Sequence, residues 1–252
     1  MDRLIFTALN SIKFAQEDNV IRSNNLANSS VPGFRRDLEP KAVGSSFMET
    51  MNQFETRSFA MREGKNRFSS EAGQFEYTQQ PTDLAITGEG YFVVQPKKGD
   101  PALSRRGDFR VDADGSLVDG AGSKILDAGM DPIEIPPYRK LLINEEGQIF
   151  IEPLVGEPGV TENIGQVASA QAEDGTVKKH GDGHIRNLDG TLPPPDGIAR
   201  FAQGYLESSN VNAVDELVDS LNRQRGYELN IKMISMARDI DEASASLMRM
   251  PN

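Results

Sequence analysis

The sequence contains no cysteine. That absence removes thiol nucleophiles, CxxC redox chemistry, cysteine-ligated zinc and disulfides together, and it leaves the compartment open, because a thiol-free chain suits oxidising and reducing surroundings equally. Histidine is nearly absent too, with two residues, His180 and His184, so imidazole chemistry is confined to one short stretch. No run of about 18 apolar residues occurs, so nothing reads as a bilayer-spanning helix. Apolar residues make up 37% of the 252, and the mean hydropathy is -0.47, which points to an extended or loop-rich portion. Positive charge is in deficit: 27 Lys and Arg face 38 Asp and Glu, a formal net charge of -11. Such a chain is repelled by phosphate backbones and anionic membrane surfaces, so neither nucleic-acid binding nor membrane insertion is expected. The start, Met1-Asp2-Arg3-Leu4-Ile5, runs into Ser11, Lys13, Gln16 and Glu17. That is not the apolar core and small-residue cleavage site of a secretory signal.

What is present falls into successive regimes. Residues 2 to about 28 lack Gly and Pro and read as a helix whose candidate seam is Ile5, Leu9, Ile12, then Gln16, Asn19, Ser23 and Leu26. Asn24-Asn25-Leu26-Ala27-Asn28 and Pro32-Gly33 then stop it, since Asn competes locally for helical hydrogen bonds and Pro-Gly forces a turn. Residues 34–66 read as an irregular or partly helical linker containing Phe47, Met48, Met51, Phe54, Phe59 and Met61. From 67 to 204, Gly and Pro punctuate short apolar runs such as Leu84-Ala85-Ile86, Tyr91-Phe92-Val93-Val94 and Gln148-Ile149-Phe150-Ile151. That is the pattern of a β domain, a twisted sandwich or an open barrel.

Over 205–252 the helical period returns. Ser208, Ser209 or Asn210 is the expected cap, and Val211, Val214, Val218 and Leu221 form one stripe. A second stripe, Leu229, Met233, Met236, Ile240, Ala243, Leu247 and Met250, keeps a heptad spacing, and the two change phase near Gln224-Arg225-Gly226. The expected fold is therefore α+β: an N-terminal helix (1–33), a linker (34–66), a β-rich centre (67–204) and a C-terminal helix (205–252). The terminal helices are expected to pair as a coiled coil with each other and with helices of neighbouring subunits.

Motifs for chemistry are weak. Thr87-Gly88-Glu89-Gly90 lacks the third Gly of a dinucleotide loop, and Asp112-Ala113-Asp114-Gly115-Ser116 has its Gly too early for a calcium loop, so it reads as a turn. His180-Gly181-Asp182-Gly183-His184 reads as a polar surface loop, and Arg105-Arg106-Gly107-Asp108 as turn residues. No catalytic, cofactor-binding or metal-binding residue is singled out, and no cofactor is expected.

The residues do carry a resemblance. Asn24-Asn25-Leu26-Ala27-Asn28 followed by Pro32-Gly33-Phe34-Arg35 resembles the N-terminal signature of the flagellar rod, hook and hook-associated axial proteins, with Val31 and Arg35 as mild departures. Asp83-Leu84-Ala85-Ile86-Thr87-Gly88-Glu89-Gly90-Tyr91-Phe92, Ser104-Arg105-Arg106-Gly107-Asp108-Phe109 and Gly204-Tyr205-Leu206-Glu207-Ser208-Ser209-Asn210 are similar to later signatures of the same family, as is Arg225-Gly226-Tyr227-Glu228. The opening residues and Pro132-Ile133-Glu134-Ile135-Pro136-Pro137 look most like its proximal rod branch, with the distal rod or a hook-type subunit the alternative.

The resemblance implies a non-enzymatic structural subunit, exported through the flagellar type III apparatus without a cleaved signal peptide. It would assemble in the periplasm-spanning rod with copies of itself and other rod proteins, the distal rod protein among them. Helix-helix assembly would use Ile5, Leu9, Ile12 and Leu26, together with Val211, Val214, Val218, Leu221, Leu229, Met233, Met236, Ile240 and Leu247. The rival readings are a β-domain enzyme acting on cell-wall glycan, which needs a pair of carboxylates about 5–10 Å apart in a cleft, and a self-contained binding module.

Overall fold

A computed structural model describes residues 2–43, 61–63, 67–173 and 175–248, with side chains for 9, 11–40, 67–173 and 175–246. The chain is α+β, with a helix near each end and a β-rich centre. It forms two compact units. A helical unit comprises Met1–Ala27, Asp37–Arg67 and Asn212–Asn252, and a β unit comprises Asn28–Arg36 and Phe68–Val211. The expected linker thus divides between the units near residue 36. Phe47, Met48, Met51, Phe54 and Phe59 lie outside the described residues.

In the helical unit, α1 (Asp2–Ala27) stops where the Asn-rich segment and Pro32-Gly33 demand it, and the ribbon β1 (Lys41–Val43) with β2 (Met61–Glu63) is antiparallel. The other long helix, α2 (Ala213–Met248), starts six residues later than the last residue of the β ribbon described below, Glu207. Its cap is Asn212, whose Oδ1 accepts from the N–H groups of Val214 (3.0 Å) and Asp215 (3.4 Å). The expected caps are engaged inside the β unit: the Ser208 N–H donates to Gln74 O, and Asn210 Oδ1 accepts from the Arg36 N–H at 2.6 Å. Asp215 and Glu216 occupy the first turn of α2, where the helix dipole favours acids.

In the β unit, β3 (Phe75–Tyr77), β4 (Leu84–Thr87), β5 (Tyr91–Gln95), β6 (Ala102–Ser104), β7 (Arg110–Val111), β8 (Leu117–Val118) and β9 (Lys124–Ile125) are followed by β10 (Tyr138–Ile143), β11 (Gln148–Pro153) and β12 (Glu162–Gln166). Then come β13 (Ser169–Ala170), β14 (Val177–Lys179), β15 (Ile185–Asn187), β16 (Arg200–Gln203) and β17 (Tyr205–Glu207). The largest sheet has the order β14-β15-β6-β5-β9-β8-β7 with β13 also on β5, and β10-β11-β12, β4-β16 and β3-β17 pair separately.

Strand β5 explains its own unbroken apolar run. Side chains alternate across a strand, and here Phe92 and Val94 enter one core with Leu84, Ile149 and Phe201, while Tyr91 and Val93 enter a second with Leu103 and Leu126. Both faces are covered, so neither is free to be polar. Phe92 anchors the first core, edge-on to Phe109 at 5.0 Å and stacked with Phe201 at 5.8 Å. Gln203 joins sheets: its Oε1 accepts from the Ile143 N–H (3.1 Å), and its Nε2 donates to Leu141 O (3.1 Å) and Pro81 O (2.6 Å), replacing a missing strand partner.

Candidate functional site

The C-terminal half of the Asn-rich motif is gripped by the β unit. Gly33 donates its N–H to Glu207 O at 2.6 Å. Its φ is +67°, and a Cβ there would collide with the Arg105 carbonyl, so no other residue fits. Phe34 lies under Lys179, whose Nζ is 3.8 Å from the ring centroid and donates to Arg35 O at 2.6 Å.

Arg35 itself reaches Glu207 at 2.8 Å and donates to Glu71 O. Arg105 meets the same carboxylate from the other side, with Nε 2.8 Å from Oε2. Its remaining N–H groups are accepted by Gly90 O (2.6 Å), Ile86 O (3.1 Å) and Gly88 O (2.9 Å). The Thr87–Gly90 turn therefore presents carbonyls to an internal cation, the opposite of an anion-binding glycine loop. Burial, reinforced by the charge of Arg105, lowers the pKa of Arg35 against the pull of Glu207. Arg105 is thus a buried brace rather than a turn residue, whereas Arg106 chelates Asp108 at 2.6 and 2.8 Å. The signal was present in the sequence as an Arg a short way downstream of a Gly-x-Gly turn, but spacing does not reveal a shared carboxylate more than 100 residues away.

The N-terminal half of the motif belongs to the helical unit. Asn25 exchanges bonds with the Asp37 backbone (3.0 and 2.8 Å) and reaches Glu216 at 3.3 Å, while Asn24 donates to the Asp37 carboxylate at 2.7 Å. One turn back, Arg22 donates to Glu216 (2.9 Å) and Asp219 (2.7 Å) and meets Glu39 at 2.5 Å. Farther along, Arg223 pairs with Asp18 (2.5 Å) and Glu39 (2.6 Å), and Asn230 donates to Ser11 at 3.0 Å. The contacts advance along α2 as they retreat along α1, so the pair is antiparallel. Asp18 and Glu216 are fully buried.

The helices meet, then, on polar and small side chains, with Ala237 buried on the same side of α2. The apolar stripes face elsewhere. Val214, Leu217, Val218 and Leu221 are 50–66% exposed, and Leu229, Met233, Met236 and Ile240 are 44–62% exposed. At about 100° per residue Val214, Val218 and Leu221 fall on the side of α2 opposite Glu216, whereas the stripe from Leu229 to Ile240 flanks the line of Asn230 and Ala237, Met233 being about 60° round from Asn230. Leu9 is exposed as well, while Ile12, Leu26 and Val211 are half-buried. The side chains of Ile5 and Leu247 lie outside the described residues. Among the described residues, the side-chain bonds between α1 and α2 are polar, running from Arg22 and Asn25 through Asp18 to Ser11.

The remaining polar clusters are structural. Asp112–Ser116 is a turn closed by Asp112 N–H to Ser116 O at 2.9 Å. His180–His184 is an ordered hairpin turn, closed by the His180 N–H to His184 O at 2.8 Å and braced by Asp182–Arg186 at 2.8 Å. Burial lowers the pKa of His184. A shallow pocket of about 820 Å³ is lined by Asp112, Asp114, Glu134, Pro136 and Tyr138. No group of three or more His, Cys, Asp or Glu among the described residues is placed to hold a metal ion.

Asp83 and Asp108 are bridged backbone neighbours, but Thr78 donates to Asp83 at 2.6 Å and Arg106 holds Asp108, so both carboxylates already have protein partners. Burial, with a smaller contribution from Asp108, raises the pKa of Asp83. The folded state then holds the proton more tightly than the unfolded one, so this group's contribution to stability falls as pH rises from about 4, the unfolded value, through the folded value. Asp83→Asn is expected to flatten that fall, seen as a smaller loss of Tm between about pH 4 and 7.

These features define an α+β chain with one helix before and one after a braced β-rich segment in sequence, and no helix among the described residues is long and apolar enough to cross a membrane. Residues 202–247 match the family model "Flagellar basal body rod FlgEFG protein C-terminal", and residues 85–151 match "Flagellar hook protein FlgE/F/G D1 domain". The chain is 29% identical to the flagellar basal-body rod protein FlgF of Escherichia coli, over 99% of this chain and 100% of that protein. It is 29% identical to FlgF of Caulobacter vibrioides, over 97% of each. It is 31% identical to the rod protein FlgG of Buchnera aphidicola subsp. Schizaphis graminum, over 88% of this chain and 90% of that protein. The chain belongs to the flagellar basal-body rod protein family.

Proposed function

We propose that this chain is a non-enzymatic structural subunit of the flagellar rod, working in its proximal segment and assembled through its terminal helices. The observation that carries the reading is the set of large apolar side chains left 44–66% exposed along α2, Val214, Leu217, Val218 and Leu221 in one stripe and Leu229, Met233, Met236 and Ile240 in the next. A soluble monomer gains nothing from exposing that surface, whereas a subunit whose neighbours bring helices of their own buries it. Packing of this kind between copies in a heterologous, non-closing arrangement extends into a filament. The coiled-coil pairing expected from the heptads is thereby assigned to contacts between subunits, with Val214, Val218, Leu221, Leu229, Met233, Met236 and Ile240 as its knobs. Export through the type III apparatus, without cleavage of a signal peptide, delivers the chain to a periplasm-spanning rod.

Full-length likeness to FlgF supports the proximal position, and the FlgG relatives supply the distal alternative. Cryo-EM of basal bodies carrying an epitope-tagged copy tests the assignment. Label on the rod segment nearest the inner membrane is expected. Label at the outer-membrane end would move the subunit to the distal rod, and rods without label would overturn the reading.

A further inference from the structure

The buried ion pairs of the helical unit do more than hold two helices together. We infer that Arg22, Arg223, Asp18, Glu216 and Glu39 form a register lock, which closes α1 and α2 into one antiparallel hairpin within a single chain and presents the apolar face of α2 to neighbours. The stripes themselves cannot set this register. A heptad pattern repeats every seven residues, so an apolar seam tolerates a slip of one heptad, about 10.5 Å at 1.5 Å per residue. A buried charge does not, because a slip strands it without its partner.

Arg22 is bound by three carboxylates, Glu39, Glu216 and Asp219, and Arg223 by two, Asp18 and Glu39. Burial opposes the charge on Arg22, yet Glu39, Asp219 and Glu216 together raise its pKa. Glu39 is shared by both guanidiniums, so the segment that follows the motif closes over the junction and couples the two pairs. Each of these partners belongs to the same chain. The helices therefore divide the labour: charged and small residues specify the hairpin inside the subunit, and apolar residues are kept for contacts outside it. The lock stands on the geometry of one chain, while its use in building a rod rests on the function proposed above.

The absence of cysteine makes the test clean. In dilute, full-length monomer, Ser11→Cys with Asn230→Cys reports the observed register, and Ser11→Cys with Ala237→Cys reports a slip of one heptad. Mild oxidation is expected to give an intramolecular disulfide in the first pair at least 10-fold faster than in the second, read by intact mass. Adding Arg22→Ala and Arg223→Ala is expected to erase most of that preference. Circular dichroism at 222 nm identifies variants that have lost their helices, and for those the same comparison is made on the two cysteine pairs with the native cluster in 1 M salt and in its absence, where the buried lock is expected to keep its preference. Equal rates for the two pairs, linkage only between copies, or an unchanged preference in a helical Arg22→Ala, Arg223→Ala variant would overturn the lock. None of these outcomes depends on whether the chain enters a rod.

Discussion

Glu207→Ala is expected to destabilise the β unit by about 3–5 kcal/mol, the usual cost of leaving a buried charge without its partner. At roughly 2–4 °C per kcal/mol for a unit of this size, the Tm falls by about 6–20 °C. The size of the effect follows from what Glu207 serves. Among the described residues it is the one acidic side chain bonded to Arg105 and the one paired with Arg35, both buried, and its Oε1 also accepts the Gly73 N–H at 2.9 Å. Removing it leaves two guanidiniums facing each other in a dry site. Glu207→Gln keeps the shape and loses the charge, so it is expected to fall between alanine and the native residue. Differential scanning calorimetry on the three chains measures the order. A Tm change below about 2 °C for Glu207→Ala would mean that water reaches the two arginines, and the account of the brace would fail.

The second large effect concerns assembly instead of folding. Val218→Asp with Met236→Asp places a carboxylate in each apolar stripe of α2, at positions left exposed in the single chain. In the monomer both positions are about half or more exposed, so helicity and the Tm of the β unit should stay near native values. In an assembled contact, each loses the burial of an apolar side chain, about 1.5–3 kcal/mol apiece. Desolvation of the new carboxylate adds to that. Together the losses weaken each helix contact by at least about 100-fold, since 1.4 kcal/mol is a factor of ten. In cells that depend on this subunit, the double substitution is expected to abolish swimming, with the chain still made and exported. Arg238→Ala, which breaks only an exposed ion pair with Glu242, is expected to leave motility unchanged. Normal motility in the double variant would show that the apolar face of α2 does not carry subunit contacts.

Much of the architecture is legible in the sequence. Gly and Pro are absent from residues 2–27 and Pro from 207–250, and period and punctuation placed both helices and the strands β4, β5 and β11. The motifs placed the family. The errors of placement have physical causes. The start of α2 moved from Ser208–Asn210 to Asn212 because the Ser208 hydroxyl is engaged by the Glu76 carboxylate and the Asn210 side chain by the Arg36 N–H and Glu71 O. The short run Tyr205–Glu207 became a strand because Phe75–Tyr77 offered it an edge.

By itself, then, the sequence determined local periodicity, the turn positions, the absence of thiol chemistry and the family, because each depends on residues near one another in the chain or on composition alone. Only the tertiary structure decided which face of α2 meets α1, that Glu207 unites Arg35 with Arg105, and that the Asn-rich motif serves one unit with Asn24 and Asn25 and the other with Gly33 and Phe34. Those outcomes turn on pairing charges that are 102 to 205 residues apart in the pairs Arg105–Glu207 and Arg223–Asp18. A buried charge accepts few partners, and which one it finds is settled by the fold that encloses it.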